Sequence, residues 1–517
     1  MRDYLGFDGM VVSDYTAIDQ IPDLQTPVEK AAAAINGGCD VDFPHGANYK
    51  YLQEAIDKGL VKPEALERAV KNVLKYKWRA GLFDKDAYLY STEKIQFDSP
   101  EERQTSYDIA TQSIVLLENN GILPLSPLTS DLSPLKVLLT GPNANSVWAM
   151  CGDYSFPAMT YFWKMGEDVA NHDLPHVVRL LEGMNARKPE NVNIMYSRGC
   201  DWTEEIETIF NKGGDERAWD YDILHRKVDS GEKADKAEAL RMASQSDVII
   251  AAMGENVMLC GENRDRHGLR LPGKQEQFVE ELIKTGKPVV LVLFGGRAQV
   301  ISGLAEKCAA VIQAWYPGEE GGNAVADILY GKVSPSAKLS VSYPNTEINE
   351  PICYNYSAEK DPRIQWPFGY GLSYTSFKYG NLKVDKEAKT SDKFVKLSFE
   401  VTNTGKMTAD EVAQIYLSPT SNDQQIRPIQ LQGFARVTLE PGQTKTVQVR
   451  LNTEQFGFYN QRQWNILPGT YVIKVGASST DIKLQQEITL KGKNVTQPLR
   501  TFYFSETTVL PSGSTNG

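Results

Sequence analysis

The chain has 517 residues and a mass of 57.6 kDa, enough for two to four domains at ~150 residues each. Its 55 basic and 66 acidic residues give a net charge of −11 with no basic tail or stripe, which argues against a nucleic-acid backbone or an anionic membrane as partner. A 41% hydrophobic and 10% aromatic composition excludes wholesale disorder, and no apolar run approaches the ~20 residues that span a bilayer, so no membrane insertion is expected.

In chain order, Met10-Val11-Val12 predicts a short strand, and Pro27 to Ile35 a helix started by Pro27 and stopped by Gly37-Gly38. Cys39 to Phe43 predicts a second short strand, followed by a helical stripe at Leu52, Ala55 and Ile56 and a longer helix from Pro63 to Arg79. Two strands and several helices cannot close a sheet, so residues 1–85 read as a piece of an α/β assembly.

Apolar runs then alternate with helices: strands at Val137 to Leu139, Val192 to Tyr196, Val248 to Ala252, Pro288 to Phe294 and Cys308 to Gln313, and helices at Lys233 to Gln245, Gln275 to Lys284 and Ala324 to Tyr330. Continuously apolar strands predict a largely parallel sheet covered on both faces, with ligands beyond the strands' carboxyl ends, in the loops after Ala252 and Phe294. Farther on the period changes to two, at Phe394 to Val401, Val412 to Leu417, Thr446 to Leu451 and Tyr471 to Val475, with Gly- and Pro-containing turns between; this predicts a β-sandwich. Arg500 to Phe504 reads as a final strand before a polar tail. The six cysteines lie far apart without a CxxC spacing, and most read as buried thiols, with one or two pairings between distant segments left open.

The search for chemistry begins with exclusions. The five histidines form no HExxH, and His172 and His176 lack an acidic third ligand at the usual spacing, so no metal is expected; there is no GxxxxGK[ST] and no strand-embedded GxGxxG, so no nucleotide cofactor is expected either. Two carboxylates stand in glycine-flanked contexts. Asp14 follows the strand in Gly9-Met10-Val11-Val12-Ser13-Asp14-Tyr15, where it reads equally as a catalytic group at a strand's carboxyl end or as a helix-cap or turn aspartate. Glu262 sits in the loop after Ala252, which carries two Gly-Glu pairs, at Glu255 and Glu262, ahead of Arg264-Asp265-Arg266.

Together these segments resemble glycoside hydrolase family 3, the β-glucosidase and β-xylosidase family. Leu5-Gly6-Phe7-Asp8-Gly9 through Ser13-Asp14 is similar to its nucleophile motif, and Gly261-Glu262 through Arg266, followed by Leu269-Arg270-Leu271-Pro272-Gly273-Lys274-Gln275, to its acid/base loop and next helix. Trp315-Tyr316-Pro317-Gly318-Glu319-Glu320-Gly321-Gly322, Pro367-Phe368-Gly369-Tyr370-Gly371 and Leu431-Gln432-Gly433-Phe434 are further resemblances. The resemblance implies a (β/α)8 barrel, an α/β sandwich domain and a fibronectin type III-like domain, with the active site between the first two. It implies Asp14 as nucleophile, Glu262 as general acid/base and Tyr15 as a wall of the sugar site, with ordinary packing the alternative for Tyr15. A retaining enzyme of this kind brings its two carboxyl groups to about 5 to 5.5 Å.

A barrel of roughly 250 residues should precede or include Asp14, yet 13 residues do. The expectation is therefore a carboxyl-terminal part with most of the barrel missing. Its divisions are 1–85, the carboxyl-terminal remnant of a TIM-like barrel; 86–105, a linker; 106–345, the α/β sandwich domain; 346–385, a connection; 386–490, the fibronectin type III-like domain; and 491–517, a final strand and flexible tail. The expected function is retaining hydrolysis of terminal non-reducing β-D-glucosyl residues in small β-glycosides or oligosaccharides. A β-xylosidase, or an inactive fragment or non-catalytic carbohydrate-associated module, is the alternative. The family implies a periplasmic or secreted location, although no signal region follows Met1.

Overall fold

The structure, a computed structural model, describes residues 2–84, 98–125, 134–155, 158, 176–203, 232–257, 259–261, 266–348, 350–355, 361–420 and 427–512. Backbone contacts divide the chain into two compact units, Met1–Phe97 and Asp98–Gly517.

The first unit is built on helices α1 (Pro27–Gly37), α2 (Leu52–Asp57) and α3 (Pro63–Arg79). A reciprocal capping box between Thr26 and Glu29 starts α1, and Gly38, at φ 106°, ends it in the left-handed region. Val28, Ala32 and Ile35 of α1 pack on Ala55 of α2, Val61 and Ala69 of α3. The two strands expected at Met10–Val12 and Cys39–Phe43 reduce to one parallel bridge, Val12 to Val41. Side chains take the donors on either side of it: the Asp40 carboxylate accepts from the Val11 amide at 2.9 Å, and Ser13 Oγ accepts from the Phe43 amide at 2.9 Å. A ladder cannot extend through donors already used.

The second unit opens with α4 (Pro100–Ser113), capped by Ser99 and Glu102. This helix spans position 105, where the division between linker and α/β domain was expected. A six-stranded sheet follows in the order β1-β6-β5-β4-β2-β3: β1 (Val115–Asn119), β2 (Leu135–Thr140), β3 (Val192–Ser197), β4 (Val248–Gly254), β5 (Val289–Phe294) and β6 (Ala310–Trp315). Five strands are parallel, as expected; β1 is an antiparallel edge on β6 that the sequence reading did not mark.

The apolar runs are continuous because both faces are covered. Ile250 and Ala252 of β4, with Val290, Val292 and Phe294 of β5, meet α5 (Leu180–Arg187) and α8 (Gly321–Tyr330); Ile249, Ala251, Met253, Leu291 and Leu293 meet α6 (Lys236–Gln245) and α7 (Gln275–Lys284). In α7 the buried residues Gln275, Phe278, Val279 and Leu282 fall on one helical stripe. Each fully buried Leu, Val or Phe contributes about 1.5–3 kcal/mol relative to exposure.

After a small pair, β7 (Tyr343–Pro344) and β8 (Ile364–Trp366), comes the sandwich. One sheet runs β10-β18-β17-β12-β13 and the other β20-β14-β11-β9. Their strands are β9 (Phe377–Val384), β10 (Glu387–Lys389), β11 (Phe394–Asn403), β12 (Ala409–Pro419), β13 (Gln430–Leu439), β14 (Thr444–Asn452), β17 (Gly469–Gly476), β18 (Ile482–Lys491) and β20 (Glu506–Pro511). β15 (Phe458–Asn460), β16 (Gln463–Ile466) and β19 (Val495–Gln497) form a minor sheet. Val395, Leu397, Phe399 and Val401 of β11 point inward against Ala413, Ile415 and Leu417 of β12, the period-two pattern read from sequence.

The final strand is Glu506–Pro511, not Arg500–Phe504. Glu454 accounts for the difference: its carboxylate accepts from the Thr501 amide at 2.6 Å, the Thr501 hydroxyl at 2.7 Å and the Phe502 amide at 3.1 Å, so these donors are lost to any ladder.

Candidate active site

In the first unit, Asp14 follows the Val12–Val41 bridge and is exposed. Its Oδ1 accepts from the Tyr15 amide at 2.7 Å. The short helical turn after it, Ala17–Gln20, has Thr16 as its N-cap with no side-chain cap bond, so Asp14 is not a helix cap; its carbonyl accepts from the Ala17 amide at 3.2 Å, so it does open a turn, the other half of that alternative. Tyr15 is 64% exposed, and its ring lies 6.2 Å from that of Phe43, which is 43% exposed. Thus the residue that follows Asp14 belongs to a pair of exposed aromatic rings, of which sequence reasoning named one. The signal for Phe43 was the parallel pairing itself, since Ser13 donates to Val41 O at 2.9 Å and Thr16 to Phe43 O at 3.4 Å.

Two buried carboxylates make that surface rigid. Asp40 is paired with Arg2 at 2.5 Å and accepts from Asn72 Nδ2 at 3.0 Å; Asp42 accepts from the amides of Asn48 and Tyr49 at 2.8 and 3.1 Å. They tie the segment after α1 to α3 and to the turn before α2, with Oδ2 of each carboxylate taking these bonds. That marks them as structural.

In the second unit, the loop of interest leaves β4 through Gly254. That glycine has φ +117°, and a Cβ there would stand 2.0 Å from Phe294 O, so only glycine lets β4 turn this close to β5. Gln275, the last residue of the Leu-Pro-Gly-Lys-Gln motif, is fully buried and grips this turn from both sides: Gly254 N–H donates to its Oε1 at 2.8 Å, and its Nε2 donates to Gly254 O at 2.9 Å and Trp202 O at 3.1 Å.

Glu255 comes next and is fully buried. Arg266 Nε donates to its Oε1 at 2.6 Å, Arg297 Nε donates to its Oε2 at 3.1 Å, and Arg297 Nη2 also reaches Oε1. Arg297 Nη1 donates to Arg266 O at 3.1 Å, so the two guanidinium-bearing segments are joined to each other as well. Tyr316, beyond β6, packs beside Gly296, and burial raises its phenol well above the ordinary range. Glu262, with Asn263, Arg264 and Asp265, lies outside the described residues. Sequence reasoning missed the Glu255–Arg266–Arg297 cluster because Arg297 is contributed by the loop after β5, 42 residues from Glu255.

All six cysteines are free thiols, so no pairing forms, and the expectation that most are buried holds for Cys151 and Cys308 alone; Cys39, Cys200 and Cys260 are half-buried and Cys353 is exposed. Among the described residues no group of three or more His, Cys, Asp or Glu side chains could hold a metal ion, and no helix is long and apolar enough to cross a membrane.

Comparison with known proteins agrees with this layout. The N-terminal domain model of glycosyl hydrolase family 3 matches residues 1–76, the C-terminal domain model of that family residues 114–374, and the fibronectin type III-like domain model residues 411–479. A β-xylosidase of Formosa agariphila is 32% identical over 93% of this chain and 64% of its own length. The periplasmic β-glucosidase of Salmonella typhimurium is 31% identical over 93% of this chain and 63% of its own. The solved structure of a β-glucosidase from Erythrobacter marinus superposes with a TM-score of 0.77 at 31% identity, over 95% of this chain and 64% of that one. The chain therefore spans less than two thirds of the length of each of these proteins. Since the family's C-terminal model alone covers half of the residues, with its N-terminal and fibronectin-like companions on either side, the chain belongs to glycosyl hydrolase family 3.

Proposed function

We propose that this polypeptide hydrolyses terminal non-reducing β-D-glucosyl residues with retention of configuration, with Asp14 as nucleophile, Glu262 as general acid/base and Tyr15 as one wall of the sugar site. The observation that supports it most is Asp14 itself: an exposed carboxylate, followed in the chain by the exposed Tyr15 whose ring pairs with that of Phe43, in the segment that matches the family's N-terminal model, and not used as a helix cap. Aromatic faces suit the apolar face of a pyranose, and an exposed carboxylate is free to attack.

In the first step the Asp14 carboxylate attacks the anomeric carbon while the Glu262 carboxyl gives its proton to the departing oxygen, leaving a glycosyl ester. In the second, Glu262 takes a proton from water, whose oxygen displaces Asp14. Two carboxyl groups supply all of this chemistry, so no cofactor is called for. A β-xylosidase reading is favoured by the Formosa agariphila relative; xylosides differ in lacking the hydroxymethyl group, and parallel assays on both aryl glycosides separate the two.

The test is the full-length gene product with aryl β-D-glucosides, followed by proton NMR of the first sugar released. The β-anomer is expected first. Appearance of the α-anomer first, or absence of turnover on both glycosides, overturns the proposal.

A further inference from the structure

We propose that Asp40, besides holding the first unit together, is a positioning residue for the reaction: it fixes the backbone from which Asp14 projects, without itself meeting the sugar. This rests on the assignment of Asp14 made above. The Asp14 carboxylate is oriented on its own backbone by the Tyr15 amide, which donates to Oδ1 at 2.7 Å, so what remains to be set is the course of the segment that carries it. A single parallel bridge, Val12 to Val41, is a weak device for that, since two lone strands are marginal at best. Asp40 supplies the rest. Its carboxylate accepts from the Val11 amide at 2.9 Å and its own amide donates to Val11 O at 2.7 Å, so both backbone groups of a residue just ahead of Asp14 are held by one partner. Val41 and Phe43 continue the contact: the Ser13 amide donates to Val41 O at 2.9 Å, and Ser13 Oγ accepts from the Phe43 amide at 2.9 Å.

The Asp40 side chain is itself held fast. It is fully buried, and its Oδ2 accepts from Arg2 Nη2 at 2.5 Å and from Asn72 Nδ2 at 3.0 Å as well as from Val11, while Arg68 Nε lies 3.5 Å from Oδ1. Two of these partners reach a further element. Arg2 also donates to Gly9 O at 2.8 Å and to Gly38 O at 3.1 Å, and Arg68 Nη2 donates to Ile35 O of α1 at 2.6 Å. Arg68 and Asn72 both belong to α3, so the strand that carries Asp14 takes its place from α1 and α3 through one carboxylate. Buried ion pairs are a poor device for stability, because well-packed apolar side chains of the same volume do as well or better. What they supply is fixed geometry, through bonds roughly twice as strong as neutral ones. Nucleophilic attack needs that geometry: the reacting atoms must come within about 3–3.5 Å, and a misplacement of 1 Å can lower the rate ~100-fold.

The experiment uses the full-length gene product and reads three quantities: kcat/KM over aryl β-glucosides whose leaving groups range from dinitrophenol to simple phenol, the inhibition constant of glucose, and the rate at which a 2-deoxy-2-fluoro-β-glucoside labels the nucleophile. Asp40→Ala is expected to lose roughly 10- to 100-fold on every member of the series, and to be labelled more slowly by a similar factor, with the inhibition constant nearly unchanged. Asp40→Asn, which keeps the shape and one acceptor oxygen but not the charge, is the milder variant should Asp40→Ala fold poorly, and is expected to show the same pattern at smaller amplitude. In Asp14→Ala, where azide takes the nucleophile's place, adding Asp40→Asn should leave the azide-dependent rate as it is. Amide exchange supplies a readout independent of turnover: the Val11 and Ser13 amides, bonded to Asp40 and Val41, should exchange faster in either Asp40 variant while those in the middle of α1 do not. Glucose binding weakened as much as the rate, a loss confined to poor leaving groups, a further loss of the azide-dependent rate, or unchanged exchange at Val11 and Ser13 would overturn the proposal while leaving the function standing. Labelling of the parent at a residue other than Asp14 removes the assignment of the nucleophile, and this proposal with it.

Discussion

Asp14 is exposed and accepts a hydrogen bond from the Tyr15 amide, whereas Glu255 is fully buried and ion-paired to Arg266 and Arg297. Asp14→Ala removes little packing, so its stability should stay within ~0.5 kcal/mol of the parent. Its turnover of every aryl glycoside should nonetheless fall by about 10⁴-fold or more, as loss of a covalent nucleophile entails. Thermal melts and steady-state rates on the same samples check both halves. For Glu262→Ala the loss should depend on the leaving group, reaching ~10²–10⁴-fold for basic alkoxides and shrinking for activated phenols, because only basic leaving groups need the proton. Added azide should restore that variant on activated substrates. Glu255→Ala shows the opposite balance to Asp14→Ala: it leaves two guanidiniums around a buried void, and denaturant melts should show a loss of about 3–5 kcal/mol.

Among the elements, the five parallel strands of the central sheet and the inward residues of β11, β12, β14 and β17 were legible in the sequence, because burial on one or both faces writes directly into hydrophobic period. Where the sequence misled, side chains had taken backbone donors. Asp40 and Ser13 shorten the pairing of Val12 with Val41, and Glu454 holds Arg500–Phe504 away from the ladder expected there. The Glu454 contact carries a pH signature. Burial by itself would raise this carboxyl, but the donors from Thr501 and Phe502 outweigh it and hold the carboxyl below its ordinary value. A carboxyl depressed in the folded state contributes stability that is complete above its unfolded value, about 4.3, and is lost as pH falls through the lower folded value. Native-state exchange of the Thr501 and Phe502 amides, corrected for the intrinsic pH dependence, should therefore be protected at pH 6 and lose protection only below about pH 4. In Glu454→Gln the protection should be weak throughout and nearly independent of pH; a parent-like acid transition in that variant would show that another group holds the segment.

On the scale of the whole chain, the sequence read the order of a partial α/β assembly, a parallel α/β domain and a β-sandwich from hydrophobic period and turn chemistry, whereas the candidate site was legible only through motif resemblance. Asp14 and Glu262 are 248 positions apart in sequence, and no local pattern links residues that distant. The two units also differ in what holds them. The core of Met1–Phe97 is small and alanine-rich, around Val28, Ala32, Ile35, Ala55, Val61 and Ala69, while α3 leaves Val70, Leu74 and Trp78 at 50%, 49% and 70% exposure. Asp98–Gly517 has two extensive clusters on the faces of its sheet and a third inside the sandwich, and Lys338, paired with Glu411 at 3.3 Å, joins sheet domain to sandwich within it. Apolar area removed from water sets most of the difference in resistance to opening. Limited proteolysis of this polypeptide should therefore cut first within residues 1–97 and leave a resistant fragment beginning near Asp98, read out by intact-mass spectrometry. Leu74→Ser combined with Trp78→Ser should reduce self-association on size-exclusion chromatography at little expense in melting temperature, since the two side chains are 49% and 70% exposed. A resistant fragment that retains residues 1–97, or a double variant that self-associates as strongly as the parent, would show that the exposed face of α3 is not the weak side of the molecule.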